Sequence, residues 1–226
     1  MTSKMHFSIY VYIGGIEMET LKALTDFYSN YDEEGRLLSK HGQVEYLTTL
    51  RYIERYLRPG MRILEIGAGT GRYSHTIAGN GYTVDAVELV QSNIDIFKAN
   101  IKPEEKITIW QGDARDLSEF ADNRYDVTLL LGPMYHLFTE EDQFKALYEA
   151  IRVTKPGGVI FAAYCGNEAT LVQFCFQRGM IKNERYKNLI NPVTFKAGSD
   201  PSELFQLYRK EEIDGLMANF SVTRLH

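Results

Sequence analysis

The run RILEIGAGTGRYS, Arg62 to Ser74, constrains this chain more than any other. A short apolar stretch ends in the acid Glu65, and glycines follow at 67, 69 and 71. An apolar run without alternation is the pattern of a strand covered on both faces. Glycines at every second position let a loop turn sharply and let a ligand approach the backbone. A helix beginning there adds unpaired N–H groups that face the same ligand.

The flanking sequence supplies the sheet. TVDAVE at 83–88, ITIWQ at 107–111, YDVTLLL at 125–131 and VIFAAY at 159–164 read as further strands. Helical patterns lie between them. One runs from about Tyr73 to Ala78. A second is capped by Ser92 and carries Ile94, Phe97 and Ile101 on one face. A third spans Glu140 to Val153, with Phe144, Leu147, Tyr148 and Ile151 on its apolar face, and KPGG at 155–158 stops it. Strands alternating with helices give βαβ units. The fold class is therefore α/β, a doubly wound and mostly parallel sheet with helices on both faces. Ligands of such sheets sit at the carboxyl ends of the strands.

Ahead of Met61 lies a helical preface. Tyr46, Leu50, Ile53 and Leu57 share a face, an earlier helix spans Thr20 to Tyr31, and DEEGR reads as a polar turn. Residues 1–60 form an extension with lid helices, and residues 61–226 form the core. In the core, 165–209 is an irregular cap insertion, a short helix resumes at EEIDGLM, and FSVTRL reads as a last strand. The apolar run FSIYVYIGG, Phe7 to Gly15, is either an added edge strand or an extension ahead of a natural start at Met18.

Composition narrows the class. Of 226 residues, 44% are hydrophobic and 24% charged, as in ordinary globular proteins. The formal charge of −5 provides no basic domain for nucleic acid. Cys165 and Cys175 belong to no CxxC pair or metal-spaced cluster, which points to a reduced, cytoplasmic setting and no metal. No apolar run reaches the ~20 residues of a membrane span.

The spacing of the glycines excludes the dinucleotide fingerprint G-x-G-x-x-G, because Arg72 occupies the place that motif keeps bare. Glu65, two residues before the first glycine, suits a cationic ligand end better than a pyrophosphate. Glu88 ends the second strand, where a carboxylate accepts from a ribose diol. Asp113, in GDA after the third strand, is placed to accept from an adenine amino group, and the Ala114 N–H to donate to its ring. These strand ends describe a pocket for an adenosine with a positively charged tail. Each acid also has a plain structural use: Glu65 pairing with Arg72, Glu88 as a solvated strand end, Asp113 as a turn cap.

From about Met61 to Tyr164 the chain resembles the class I S-adenosylmethionine-dependent methyltransferases. The resemblance rests on LEIGAGTG, Glu88, GDA, LLLGPMYHL and KPGG in that order. It implies S-adenosyl-L-methionine as cofactor. Glu65 and Gly67 would line its methionine end, Glu88 the ribose, and Asp113 with Ala114 the adenine. Ala68, Gly69, Gly71, Leu89 and Leu131 complete the implied set. GPMYHL takes the acceptor-facing position. Gly132 and Met134 stand where enzymes acting on base amines carry Asn or Asp and a second Pro, which argues against a nucleic-acid base. The activity implied is transfer of a methyl group by direct displacement to a small-molecule acceptor. An RNA or protein acceptor and a catalytically silent cofactor-binding module are the alternatives. His136 is the candidate general base, with a structural histidine as the competing reading, and Tyr135 the orienting group. Arg36 or His41 of the lid would meet the methionine carboxylate. The family sheet has a seventh strand for which this sequence has no segment. Either the chain is truncated, or FSVTRL takes the vacant place, or a second copy of the chain covers the open edge of strand five as a homodimer.

Overall fold

The computed structural model describes residues 22–31, 33–198 and 204–225. The apolar run at 7–15 and Met18 lie outside them. Five parallel strands form the sheet: β1 (Arg62–Ile66), β2 (Thr83–Glu88), β3 (Lys106–Gln111), β4 (Tyr125–Leu130) and β5 (Thr154–Ala162), in the order β3-β2-β1-β4-β5. The order reverses between β1 and β4, which opens a crevice at their carboxyl ends.

Nine α-helices accompany the strands in the described residues: α1 (residues 22–29), α2 (Glu33–Leu38), α3 (Lys40–Glu54), α4 (Arg72–Gly79), α5 (Gln91–Asn100), α6 (Glu140–Val153), α7 (Asn167–Thr170), α8 (Glu184–Asn188) and α9 (Lys210–Met217). Alternation along β1 separates two cores. Ile63 packs with Tyr46 and Ile53 of α3 and Ile77 of α4. Leu64 and Ile66 pack with Ala146, Leu147 and Ala150 of α6. Burial on both faces explains the unbroken apolar runs.

Several expectations need correction. Ser92 is not a cap: α5 starts at Gln91 with its N-cap at Val90, two residues earlier, and Glu88 Oε1 accepts the Val90 amide at 2.9 Å. The DEEGR segment is not a turn, because α2 begins at Glu33. On α6, Phe144 and Tyr148 are exposed, and the buried positions beside Leu147 are Gln143, Ala146, Ala150 and Val153. Small side chains let this helix lie close to the sheet, a signal that a count of large apolar residues misses. KPGG falls within β5, where the pairing with β4 shifts register between Tyr125 and Val127. Residues 220–225 form no strand.

The described part of 165–209 is built of short elements. It holds a π-helical turn (Leu171–Gln177), a small sheet of β6 (Cys165–Gly166) with β7 (Leu207–Tyr208), and its own small core of Leu171, Cys175 and Ala197. No helix among the described residues is long and apolar enough to cross a membrane, and no group of three or more metal-ligating side chains occurs among them.

Candidate active site

A cleft of about 1060 Å³ opens at the carboxyl ends of β1, β2 and β4. That volume lies at or above the ~300–1,000 Å³ typical of a pocket for one ligand. Glu65, Gly67, Ala68 and Gly69 line it from β1, Glu88 and Leu89 from β2. Asp113 and Ala114 line it after β3, and Leu131, Tyr135 and His136 after β4. Of the expected residues, Gly71 stands outside this lining. A Cβ there would meet the Phe97 ring at 2.3 Å, so this glycine serves helix packing.

The glycine loop is fixed at both ends. Gly67 N donates to Val87 O at 2.8 Å, and Gly69 N to Glu88 Oε2 at 2.8 Å. Gly67, at φ 72°, faces Pro133: an added Cβ would lie 2.6 Å from Pro133 Cδ. Gly132 in turn approaches Gly67 O, which a Cβ would meet at 3.2 Å. The β1 and β4 loops thus close on one another through bare backbone.

The two acids differ in their partners. Glu65 is buried and accepts the Ser74 hydroxyl from the first turn of α4. Burial pushes its carboxyl up to about 8, with the Ser74 bond opposing. The alternative pair with Arg72 is not formed, and that guanidinium lies 4.6 Å over the Tyr46 ring. Glu88 accepts Gly69 N, Val90 N and, at 3.3 Å, Asn93 Nδ2. Burial raises its pKa despite these bonds. A carboxylate has about four acceptor directions. Val90, Gly69, Asn93 and Leu89 use all of them, so a diol would displace the weakest, the long Asn93 bond.

These features fit S-adenosylmethionine. Carboxylates end β1 and β2, bare backbone forms the loop between them, and the glycine spacing lacks the phosphate motif. Asp113 is fixed by Arg115, whose Nη2 donates at 2.7 Å and which also pairs with Asp142 at 3.1 Å. In the lid, Arg36 lines the cleft and pairs with Glu45 at 2.9 Å, whereas His41 is exposed and outside the lining.

The acceptor side is aromatic. One turn of 3₁₀ helix, Pro133–His136, carries Tyr135 and His136. The 204–208 segment braces it: Leu204 O accepts from His136 Nδ1 at 2.7 Å, Gln206 N donates to Tyr135 O at 2.7 Å, and the Tyr208 hydroxyl donates to Met134 O at 2.8 Å. Phe27 and Tyr28 of α1 reach the same place. The rings of Tyr28, Tyr135 and Phe205 lie 5.5, 4.7 and 5.1 Å from the imidazole. Burial lowers the His136 pKa to about 4, so the ring is neutral near pH 7. Sequence reasoning missed Phe205 and Asn93. Phe205 sits in a stretch without periodicity. Asn93 shows itself only through its closeness to Glu88.

Residues 63–158 match the family model of a methyltransferase domain. The demethylmenaquinone methyltransferase of Renibacterium salmoninarum is 38% identical over 106 residues, covering 46% of this chain and 41% of that protein. The demethylmenaquinone methyltransferase of Clavibacter sepedonicus is 32% identical over 134 residues, covering 58% and 52%. The chain thus spans about half the length of the curated relatives it matches. The PH0226 protein of Pyrococcus horikoshii OT3 superposes over 86% of this chain and 89% of its own, with a TM-score of 0.61 at 18% identity. A structure from Methanosarcina mazei described as SAM-dependent methyltransferases gives 0.56 at 20% identity, over 74% and 82%. At such identities the likeness is one of fold.

Proposed function

Residues 63–158 belong to the class I S-adenosylmethionine-dependent methyltransferases, and on that premise we propose that the chain methylates a small molecule held against the aromatic wall of its cleft. The observation that supports this reading is the Gly69–Glu88 bond of 2.8 Å, which holds a buried carboxylate beside the bare glycine loop at the mouth of the cleft. The cofactor, when bound, supplies a methyl group already activated on a sulfonium. The chain's task is then to position, desolvate and deprotonate.

Glu65 takes the cationic amino end, and its proton leaves as that charge arrives. Glu88 takes the ribose, and Asp113, held by Arg115, the adenine. Tyr135, His136 and Phe205 exclude water from the acceptor and favour a flat ring through stacking. A hydroxylated aromatic ring fits that wall. Two of the relatives above bear the name demethylmenaquinone methyltransferase, which names a ring compound of that flat kind.

Incubating the protein with S-adenosylmethionine and a panel of naphthalenediols, catechols and aromatic amines, and measuring S-adenosylhomocysteine formed, tests the reading. Turnover of a ring substrate supports it. Cofactor binding with no turnover across the panel counts against it and favours a silent binding module.

A further inference from the structure

We propose that the group presented to the methyl acceptor is the phenol of Tyr28, with His136 behind it as the proton sink and Leu204 O fixing the tautomer. This assignment rests on the methyltransferase reading above.

The two ring nitrogens of His136 have different partners. His136 Nδ1 lies 2.7 Å from Leu204 O. A carbonyl only accepts, so Nδ1 carries the hydrogen. Nε2 of the neutral ring is then an acceptor, and it lies 2.8 Å from Tyr28 Oη. The phenol therefore donates to the imidazole. Both nitrogens are engaged, and an acceptor molecule reaches the basic Nε2 only by displacing Tyr28. A phenolic oxygen keeps lone pairs after donating its hydrogen, and Tyr28 lines the same cleft as His136. The acid–base route from the cleft to the imidazole thus runs through the phenol.

Leu204 holds its carbonyl in place with a φ of 62°, a conformation that a leucine rarely adopts. Gln206 N and the Tyr208 hydroxyl tie the same segment to the Pro133–His136 turn. One donor–acceptor line therefore joins α1, the 3₁₀ turn and the end of the cap: Tyr28 to His136 to Leu204. Since Tyr28 belongs to the lid, the relay is complete only with α1 in place over the cleft.

The proton balance closes. The acceptor's O–H bond breaks as its nucleophilic atom takes the methyl carbon, while the S–C electron pair stays on sulfur. The acceptor's proton passes to Tyr28 Oη, and the hydrogen of Tyr28 moves to His136 Nε2. The imidazolium keeps Nδ1–H on Leu204 O and gives up one proton to water as product leaves. The positive charge lost at sulfur reappears on the ring, so the cleft carries the same charge before and after. That balance is why a buried, neutral histidine serves here: it is uncharged while the sulfonium is present and charged only afterwards.

Nitrogen-15 spectra of the His-labelled full chain, with and without Tyr28→Phe, test the assignment together with turnover of 1,4-naphthalenediol. The expected results are an Nδ1–H tautomer for His136, an Nε2 resonance that moves in Tyr28→Phe, and turnover lower on the order of 100-fold. S-adenosylmethionine affinity should stay within about twofold, because Tyr28 acts on the acceptor side. An Nε2–H tautomer, an Nε2 resonance unmoved by Tyr28→Phe, or diol turnover within about twofold of the parent would overturn the proposal. If the diol is not turned over at all, the spectra decide alone. Failure of the parent protein to bind S-adenosylmethionine would remove the methyltransferase reading instead, and calorimetry distinguishes the two.

Discussion

Ser74 donates its hydroxyl to Glu65, joining the first turn of α4 to the acid in β1. The bond shelters a carboxyl that burial holds at about 8, against a usual value of 4.5. Between those values the folded protein binds one proton more than the unfolded chain at this site. Its contribution is therefore fully present below pH 4.5 and is lost as pH rises through 8. The slope is up to roughly 1.4 kcal/mol per pH unit. Glu65→Gln should flatten this decline in urea melts of the cofactor-free protein at pH 5, 6.5 and 8. Parallel pH profiles for parent and variant would show that Glu65 is ionised in the fold.

Gly67→Ala should destabilise the protein by about 2–4 kcal/mol, because its Cβ would press on the Pro133 ring and the left-handed backbone penalises alanine. The measurement is a thermal melt, in which each kcal/mol lowers Tm by roughly 2–4 °C for a chain of this size. An unchanged Tm would mean that the two loops are not in contact.

Asp85 marks the opposite, amino-terminal side of the sheet. It is buried and accepts from the Tyr125 hydroxyl at 2.7 Å, while Arg62 and Arg124 each reach it at 2.9 Å. Replacing it with Asn leaves two guanidinium groups without their anion. The expected cost is about 2–4 kcal/mol, reduced from a fully buried pair because both arginines are partly exposed. The folded variant should bind S-adenosylmethionine as the parent does. A large loss of affinity in a folded Asp85→Asn variant would place this cluster in the site.

Much of the sheet was legible because burial on two faces forces long apolar runs, so β1, β2 and β4 lie within one residue of the runs MRILEI, TVDAVE and YDVTLLL. The carboxylates were legible for a similar reason: an acid at the end of a buried strand has few structural uses. Helix faces were harder. On α6 the sheet-facing side is built from Ala146 and Ala150, and large apolar side chains at Phe144 and Tyr148 point outward. The acceptor side was hardest. Tyr28, His136 and Leu204 lie far apart in the chain and meet only through tertiary packing, and no local period encodes such a line. Gly71 shows the converse: a residue rightly found in a motif whose work is to admit Phe97.

The central claim is that this cleft grips an adenosyl group through the Glu88 carboxylate. Titration calorimetry with S-adenosylhomocysteine on the parent chain and on Glu88→Ala tests it most directly. The account predicts one site per chain in the parent, affinity weaker by at least about tenfold in a cooperatively melting Glu88→Ala, and no heat from NAD with either. Equal affinity in the two proteins, or no binding to the parent at millimolar ligand, would contradict it.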